Sequence, residues 1–215
     1  DIPVAVIGGY LGAGKTTLVN HLLRHAAGRR IAILVNEFGD LPIDEDLIEA
    51  EGEDMIAISG GCICCSFGSD LTAALIKLSE LAPPPDHVVI EASGVAMPGT
   101  VALSISILPG FALAGVVVLA DGERVQAQAA DDYIGDTILR QLSDADVIVH
   151  SKTDLQRDDG AVEAVESWLQ AMAPQAKIVP TAQGRVPPDI ILGLTGPNAK
   201  PQASPHADAG YESRA

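Results

Sequence analysis

The stretch Gly9-Tyr10-Leu11-Gly12-Ala13-Gly14-Lys15-Thr16-Thr17 matches the pattern of a glycine, four residues of any type, and then Gly-Lys-Ser/Thr. The apolar residues 2–7 precede it and are typical of a short buried strand, and residues 15–27 carry leucines at helical spacing. A strand, a glycine loop and a helix in this order predict a cradle for phosphate groups. The alternative, a glycine turn that enters a helix by chance, explains less of this context.

Each part of the loop has an expected role. Glycines permit unusual backbone angles and close approach to oxygen atoms, while N–H groups and the positive end of the following helix face the phosphates. Lys15 is expected to reach the β and γ phosphates, and the Thr16 hydroxyl to hold Mg²⁺. We predict that Lys15 and Thr16 take part in catalysis. The predicted nucleotide contacts here are Gly9, Gly12, Ala13, Gly14, Lys15, Thr16 and Thr17.

The composition limits the classes of function. A chain of 215 residues suffices for one core with a small appendage, and 47% hydrophobic residues with few aromatics suit a parallel sheet covered by helices. The formal net charge of −16 disfavours a nucleic-acid partner, because nucleic-acid binders carry basic surfaces. No apolar run has the length of a membrane span, and the chain enters a strand without a leader. We therefore expect a cytoplasmic protein with no membrane partner.

Strands and helices alternate along the chain. The pattern predicts an α/β fold: a three-layer P-loop domain over residues 1–194, with a mainly parallel sheet and helices on both faces. The chemistry of such a sheet collects at the carboxyl ends of its strands. Two uninterrupted helices are predicted over residues 69–81 and 123–142, and residues 60–65 are predicted to turn into the first of them. Residues 195–215 have little to bury and are predicted to form a flexible tail or linker.

A further phosphate-side group is predicted where the apolar strand His87–Glu91 ends. Glu91 closes this strand, and Gly94 follows three residues later. A carboxylate at this edge can hold Mg²⁺ directly or through water, and the Gly94 amide can contact the γ phosphate and sense its loss. We predict Glu91 as a catalytic magnesium ligand and Gly94 as a nucleotide contact. The alternative for Glu91 is a strand-end carboxylate without a role.

The tetrapeptide Ser151-Lys152-Thr153-Asp154 follows a predicted strand, as a base-recognition loop does. An Asp carboxylate accepts both the N1–H and the 2-amino N–H of guanine, whereas adenine presents an acceptor at N1. Asp154 therefore favours GTP over ATP, and Lys152 is expected to lie over the base and brace the phosphate loop. Ser151 stands where the usual guanine motif has Asn. Its shorter side chain leaves the bracing and the strength of the base preference open.

The three cysteines of the chain, Cys62, Cys64 and Cys65, form a Cys-x-Cys-Cys cluster after a pair of glycines. Thiolates so close in sequence are poor disulfide partners, and they suit a soft or borderline metal such as Zn²⁺, Co²⁺, Cu⁺ or Fe²⁺. Three thiolates leave one tetrahedral position for a carboxylate, a histidine or water. The alternative is a set of buried structural cysteines. The small number of cysteines fits a reducing compartment.

A polar loop, Asn36-Glu37-Phe38-Gly39-Asp40, lies between the first helix and the cysteines, where a nucleotide-responsive switch belongs. Glu37 is a candidate ligand of the transition metal or of Mg²⁺, and Asp44 a candidate ligand of Mg²⁺. The alternative is a polar connection without a special role. His21 and His25 are a further candidate metal pair on the first helix. A solvated helix face is the favoured interpretation, because neither has an acidic neighbour to orient it.

Together these motifs resemble the GTP-binding domain of the CobW family, metal-handling P-loop GTPases similar to the urease and hydrogenase maturation GTPases. The resemblance covers about residues 2–194, and the Cys-x-Cys-Cys cluster after the Asn-Glu-Phe-Gly loop is its most specific part. It implies a slow GTPase that binds a transition metal at the cysteines, with Mg²⁺ at Thr16 and Glu91. Family members generally carry a second, C-terminal domain after a linker, and the chain is expected to end within that linker.

The predicted function is that of a GTP-hydrolysing metallochaperone, which binds GTP and GDP and delivers zinc or cobalt to a client protein under control of the nucleotide. The predicted cofactors are Mg²⁺ together with Zn²⁺ or Co²⁺, and a nucleotide-dependent dimer is a candidate assembly. The main alternative is a metal buffer or sensor with a non-catalytic nucleotide site. The intact Lys15, Thr16 and Glu91 favour the first interpretation, and the few, scattered arginines argue against a P-loop kinase.

Overall fold

A computed structural model describes residues 1–35, 44–51, 55–58, 62–66 and 70–194 of the chain. The predicted switch-like loop with Glu37 and the predicted tail 195–215 lie outside these residues. The described strands are β1 (Ile2–Gly9), β2 (Ile31–Val35), β3 (Ile48–Glu51), β4 (Met55–Ile58), β5 (Cys62–Ser66), β6 (His87–Glu91), β7 (Phe111–Asp121), β8 (Val147–Ser151) and β9 (Lys177–Pro180). The described helices are α1 (Lys15–Arg24), α2 (Leu71–Ser79), α3 (Pro98–Ser106), α4 (Val125–Ala129), α5 (Gly135–Ser143), α6 (Asp159–Met172) and α7 (Pro188–Leu192).

The described strands form one sheet in the order β3-β4-β5-β2-β6-β1-β7-β8-β9. The seven strands from β5 to β9 in this order run parallel, while β3 and β4 pair in antiparallel fashion at one edge. β1 lies between β6 and β7, and its register sets Ile7 opposite Glu91 and Gly9 opposite Leu119. The strand ends that carry the predicted chemistry therefore meet at one edge of the sheet.

Helices cover both faces of the sheet, because successive side chains of each strand point to opposite faces. Ile7 packs in the core cluster that contains Leu22 of α1 and Ile191 of α7. Val6, the residue before Ile7, packs in the cluster on the other face, with Leu169 of α6. The predicted three-layer α/β fold with a mainly parallel sheet is confirmed. Every helix in the described part of the chain is too short or too polar to cross a bilayer.

The prediction that the cysteine stretch forms a turn is wrong. Cys62–Ser66 is strand β5, which pairs in parallel with β2 and in antiparallel fashion with β4. Cysteine packs as a small apolar residue, so a run such as Ile63-Cys64-Cys65 is suited to a strand with both faces covered. The following helix begins at Leu71, two residues later than predicted, because the Asp70 carboxylate accepts the Ala73 N–H at 2.8 Å and caps it.

The predicted helix over residues 123–142 is two helices, α4 and α5. Between them, Asp131 Oδ1 accepts the N–H groups of Tyr133 and Ile134 at 2.8 and 3.2 Å. A carboxylate that bonds to nearby amides in this way competes with the helical pattern and produces a turn. The interruption gives α5 its own start, at Gly135.

Candidate functional site

The phosphate loop joins β1 to α1, and its glycines hold backbone angles that other residues resist. Gly9 has φ +130°, and a Cβ atom there would lie 2.6 Å from the Leu119 carbonyl oxygen. Gly12 and Gly14 have φ +77° and +100°, and Gly14 is the N-cap of α1. These angles turn the chain sharply from the strand to the helix. The N–H groups at the start of α1 therefore face the same side as the loop.

Lys15 and Thr16 are the first two residues of α1. Lys15 is 8% exposed, and its Nζ donates to the Gly9 carbonyl oxygen at 2.9 Å. The ammonium group is therefore folded back over the loop that precedes it. Thr16 is half-buried and Thr17 is exposed.

A cavity of about 150 Å³ adjoins the loop and is lined by Leu11, Lys15, Glu91, Ser93 and Gly94, among others. Glu91 is 7% exposed. A Cβ atom at position 94 would lie 2.6 Å from the Leu11 side chain, so glycine permits the close contact between the two loops. Side chains that are 76 positions apart in the sequence thus border one space. The structure brings together the predicted Lys15, Glu91 and Gly94.

Gln141 of α5 fixes the loop that contains Gly94. Its side chain is buried, and its Nε2 donates to the carbonyl oxygens of Gly94 and Ala96 at 3.0 and 2.8 Å. The sequence analysis missed this residue. A polar residue beside Ile138 and Leu142, on the buried face of an amphipathic helix, is the signal that identifies it.

Ser151 braces the phosphate loop from the end of β8. Its buried Oγ lies 2.7 Å from the Ala13 carbonyl oxygen and 3.2 Å from the Ala120 carbonyl oxygen, and its one hydroxyl proton is shared between these two acceptors. Lys152, which was expected to brace the loop, instead places its Nζ 2.7 Å from Asp121 Oδ2. The short serine side chain therefore reaches the phosphate loop directly, while the Lys152 side chain lies at the end of β7.

The base-recognition loop begins with a residue in the left-handed backbone conformation. Lys152 has φ 60° and begins the short helical turn Thr153–Leu155, in which Asp154 is exposed to solvent. The Leu155 N–H donates to the Lys152 carbonyl oxygen at 3.0 Å. The position of Lys152 therefore determines that of the predicted guanine-binding carboxylate.

A second loop, residues 181–184 after β9, lies beside this turn and was missed by the sequence analysis. Thr153 N–H donates to the Thr181 carbonyl oxygen at 3.2 Å. Gly184 has φ +67° and packs closely on Thr17 of α1. The polar residues that follow the last parallel strand were the available signal, because all the parallel strands end at this edge.

The thiols of Cys64 and Cys65, the two cysteines whose side chains the structure describes, do not lie side by side. Cys64 and Cys65 are buried and lie in different core clusters, Cys64 with α1 and Cys65 with α2, on opposite faces of the sheet. Burial raises the pKa of the Cys64 thiol to about 12, and the charges of Cys65 and Glu91 act in the same direction. Cys62 also belongs to β5, but its side chain lies outside the described part, as does Glu37. Among the described residues, no three metal-binding side chains come together.

Asp44, predicted as a magnesium ligand, forms an ion pair in this structure. Its carboxylate pairs with Arg24 at 2.7 Å, and Asp46 pairs with the same guanidinium at 2.6 Å. Arg24 is the last residue of α1, eight positions after Thr16, which corresponds to about 12 Å along a helix. The ion pair holds Asp44 near the far end of α1.

His21 and His25 stack on each other, with ring centroids 4.2 Å apart. The His25 Nδ1 atom lies 2.8 Å from the His21 carbonyl oxygen. Among the described residues, no third metal-binding side chain joins this pair.

His150 is a buried histidine directly behind the base-recognition loop. Its ring is fully buried, with Nδ1 3.6 Å from Glu166 Oε1, and Gln156 and Asp121 are the other polar neighbours. Burial lowers the pKa of His150, although Glu166, Gln156 and Asp121 oppose this effect. The neutral ring is therefore the form that the fold favours.

The sequence of the chain is similar to known proteins. Residues 3–180 match the family model described as CobW/HypB/UreG, nucleotide-binding domain. The chain is 34% identical to the zinc chaperone CobW of Sinorhizobium sp., over 90% of this chain and 62% of that protein. It is 33% identical to zinc-regulated GTPase metalloprotein activator 1 of Schizosaccharomyces pombe, over 86% of this chain and 47% of that protein.

A solved structure is similar as well. The Zn(II)-bound YjiA GTPase from E. coli superposes with a TM-score of 0.66 at 31% identity, over 83% of this chain and 57% of that chain. These comparisons confirm the family resemblance predicted from the motifs. The chain spans only about half to three fifths of the length of these relatives.

The environment of His150 predicts a pH-dependent stability. In the unfolded chain the pKa of His150 is about 6.5, and in the folded protein it is lower. Below pH 6.5 the unfolded chain therefore binds more protons than the folded protein does. The contribution of neutral His150 to the free energy of unfolding is therefore complete above pH 6.5, and it is lost as the pH falls below that value. In urea denaturation, the difference in unfolding free energy between wild type and His150→Gln should shrink from pH 7.5 to pH 5, by at most about 1.4 kcal/mol per pH unit. A difference that stays constant between pH 7.5 and pH 5 contradicts this account.

Proposed function

Because the chain belongs to the CobW/HypB/UreG nucleotide-binding family, we propose that it hydrolyses GTP and uses the nucleotide state to control zinc binding. The observation that supports this most is the shared cavity of Lys15, Glu91 and Gly94 at the ends of β1 and β6. A cation at a helix N-terminus, with a carboxylate and a backbone amide bordering the same cavity, is an arrangement suited to phosphoryl transfer.

We infer that the phosphates lie over Gly9–Thr17 and the start of α1. The Lys15 ammonium donates to the Gly9 carbonyl oxygen at 2.9 Å and would turn to the β and γ phosphates when they bind. The Gly94 amide would contact the γ phosphate. Because Gln141 holds the carbonyl oxygens of Gly94 and Ala96, α5 would respond when the γ phosphate is lost. The proposed phosphate contacts are Gly9, Gly12, Ala13, Gly14, Lys15, Thr16, Thr17 and Gly94.

Oxygen donors at this edge of the sheet fit Mg²⁺, which prefers hydroxyl, carboxylate and phosphate oxygens. Thr16 follows Lys15 on α1, and the buried Glu91 borders the same cavity as Lys15. We infer that these two side chains hold the ion and take part in catalysis with Lys15. When bound, Mg²⁺ neutralises the charge that develops on the phosphates.

Guanine recognition is proposed for the loop that begins at Ser151. Asp154 is exposed and lies in the turn that Lys152 begins, so its carboxylate is accessible to the N1–H and 2-amino groups of a guanine base. Ser151 ties this loop to Ala13 of the phosphate loop. Base and phosphates would therefore be held at a fixed separation.

Zinc binding is proposed for Cys62, Cys64, Cys65 and Glu37, by extension from relatives whose names include zinc. Cobalt fits the same thiolate ligands. Because Cys64 and Cys65 face opposite sides of β5, both thiols can reach one ion only if this edge of the sheet rearranges. Cys64 shares a face of the sheet with α1 and lies in the electrostatic range of Glu91. A nucleotide that repositions this face would change zinc affinity, and release to a client protein would follow hydrolysis.

Release of phosphate from GTP tests the catalytic part of the proposal. Lys15→Ala should lower kcat/KM for GTP by at least about 100-fold, because it removes the cation that meets the developing charge. Lys77→Ala, a change on the exposed side of α2, is the matched control and should keep the wild-type rate. Equal phosphate release from wild type and Lys15→Ala contradicts a P-loop GTPase and leaves the metal buffer or sensor as the better interpretation.

A competitive Zn²⁺ titration against a coloured chelator tests the metal part. Cys64→Ser and Cys65→Ser should each weaken the tightest zinc site at least tenfold, because thiolates are its main ligands. The matched control is His21→Ala with His25→Ala, which removes the stacked histidine pair and should leave this site unchanged. If the histidine variant loses the zinc and the cysteine variants retain it, the ligand assignment is wrong.

A further inference from the structure

An ion pair joins the ends of two neighbouring strands beside the base-recognition loop. Asp121, the last residue of β7, is 4% exposed, and its Oδ2 lies 2.7 Å from Lys152 Nζ. Its other oxygen, Oδ1, accepts the Glu123 N–H at 3.0 Å. Both carboxylate oxygens are therefore engaged, and the carboxylate has a fixed orientation when it meets the lysine.

The backbone supports the same contact. Asp121 lies opposite Ser151 in the β7–β8 register, and the Gly122 N–H donates to the Ser151 carbonyl oxygen at 2.9 Å. Lys152 then adopts its left-handed φ of 60° immediately after the strand. The turn directs the lysine side chain back to the end of β7, where Asp121 holds its amino group.

Fixing Lys152 also fixes the turn that carries Asp154. The Lys152 carbonyl oxygen accepts the Leu155 N–H and so closes the turn Thr153–Leu155. A lysine without a partner would lose side-chain freedom only when the nucleotide binds, at a cost in binding free energy. With Asp121 in place, the Lys152 side chain loses this freedom when the protein folds, before the nucleotide binds. The pair also neutralises a buried carboxylate near the site of an anionic ligand.

We propose that Asp121 is a positioning residue that preorganises Lys152 and the Asp154 turn for a guanine nucleotide. The inference rests on the proposed guanine-nucleotide function and goes beyond it, because it assigns part of the base preference to a residue outside the tetrapeptide Ser151-Lys152-Thr153-Asp154. Asp121 acts through Lys152 and makes no contact with the nucleotide in this account.

The test is a set of calorimetric titrations with Mg-GDP and Mg-ADP. Asp121→Asn should weaken GDP binding at least tenfold and change ADP binding less than twofold. Lys152→Met should weaken GDP binding further, because it leaves the buried carboxylate unpaired. The double variant should be no weaker than Lys152→Met, since both changes remove the same interaction. The matched control is Asp144→Asn, because Asp144 also accepts a backbone N–H, from Gly99 at 2.9 Å, but lies on the α3 side.

Asp121→Glu provides the second variant. It keeps the charge within reach of Lys152, and GDP affinity should recover to within about threefold of wild type. A role in packing alone predicts no such recovery and no distinction between GDP and ADP. Unchanged GDP affinity in Asp121→Asn, or single effects that multiply in the double variant, overturns the inference. If the wild-type protein fails to prefer GDP over ADP, the proposed guanine function itself falls, and this inference with it.

Discussion

The central constraint in this molecule is the parallel pairing of β1 between β6 and β7. It requires the chain at Gly9 to pass so close to the Leu119 carbonyl oxygen that no Cβ atom fits. It also sets Ile7 beside Glu91, so that the end of β6 borders the loop that begins with Gly9. Lys15 and Glu91 are therefore brought to one cavity by backbone pairing, before any ligand contributes. Hydrogen bonds from Ser151 and Gln141 then fix the two neighbouring loops.

The same sheet connects the nucleotide site to the cysteine strand. β5 pairs with β2, β2 pairs with β6, and Glu91 closes β6. Cys64 lies on the face covered by α1, and the charge of Glu91 contributes to the raised pKa of its thiol. Because a metal-bound cysteine must be a thiolate, an environment that favours the thiol opposes metal binding.

Much of the architecture was predictable because its signals are local. The phosphate loop, its strand and its helix lie within one short stretch, and the alternation of strands and helices indicated the parallel sheet. The cysteine stretch was mispredicted because five residues of an apolar strand leave too little periodicity to distinguish it from a turn. The interruption between α4 and α5 depends on a single carboxylate, Asp131, which the pattern of apolar residues does not reveal.

The supporting contacts of the site were less accessible to sequence reasoning. Ser151 bonds to Ala13, 138 positions away, and Gln141 bonds to Gly94, 47 positions away. Contacts of this kind depend on which strands become neighbours in the folded sheet. Asp44 is another such case. Its position in the sequence suggested a magnesium ligand, but in the folded protein its carboxylate pairs with Arg24 at the end of α1. Local sequence therefore indicates the candidate chemistry, and the topology of the sheet determines which residues lie around it.

The central claim is that nucleotide state and zinc binding are coupled through this sheet. The most direct measurement is the zinc affinity of the protein with Mg-GDP and with a non-hydrolysable Mg-GTP analogue, paired with the affinity for each nucleotide with and without zinc. The account predicts zinc binding at least tenfold tighter with the GTP analogue, a coupling of about 1.4 kcal/mol. Linkage requires the same factor for the nucleotide when zinc is present. Equal zinc affinity in the two nucleotide states would contradict the account.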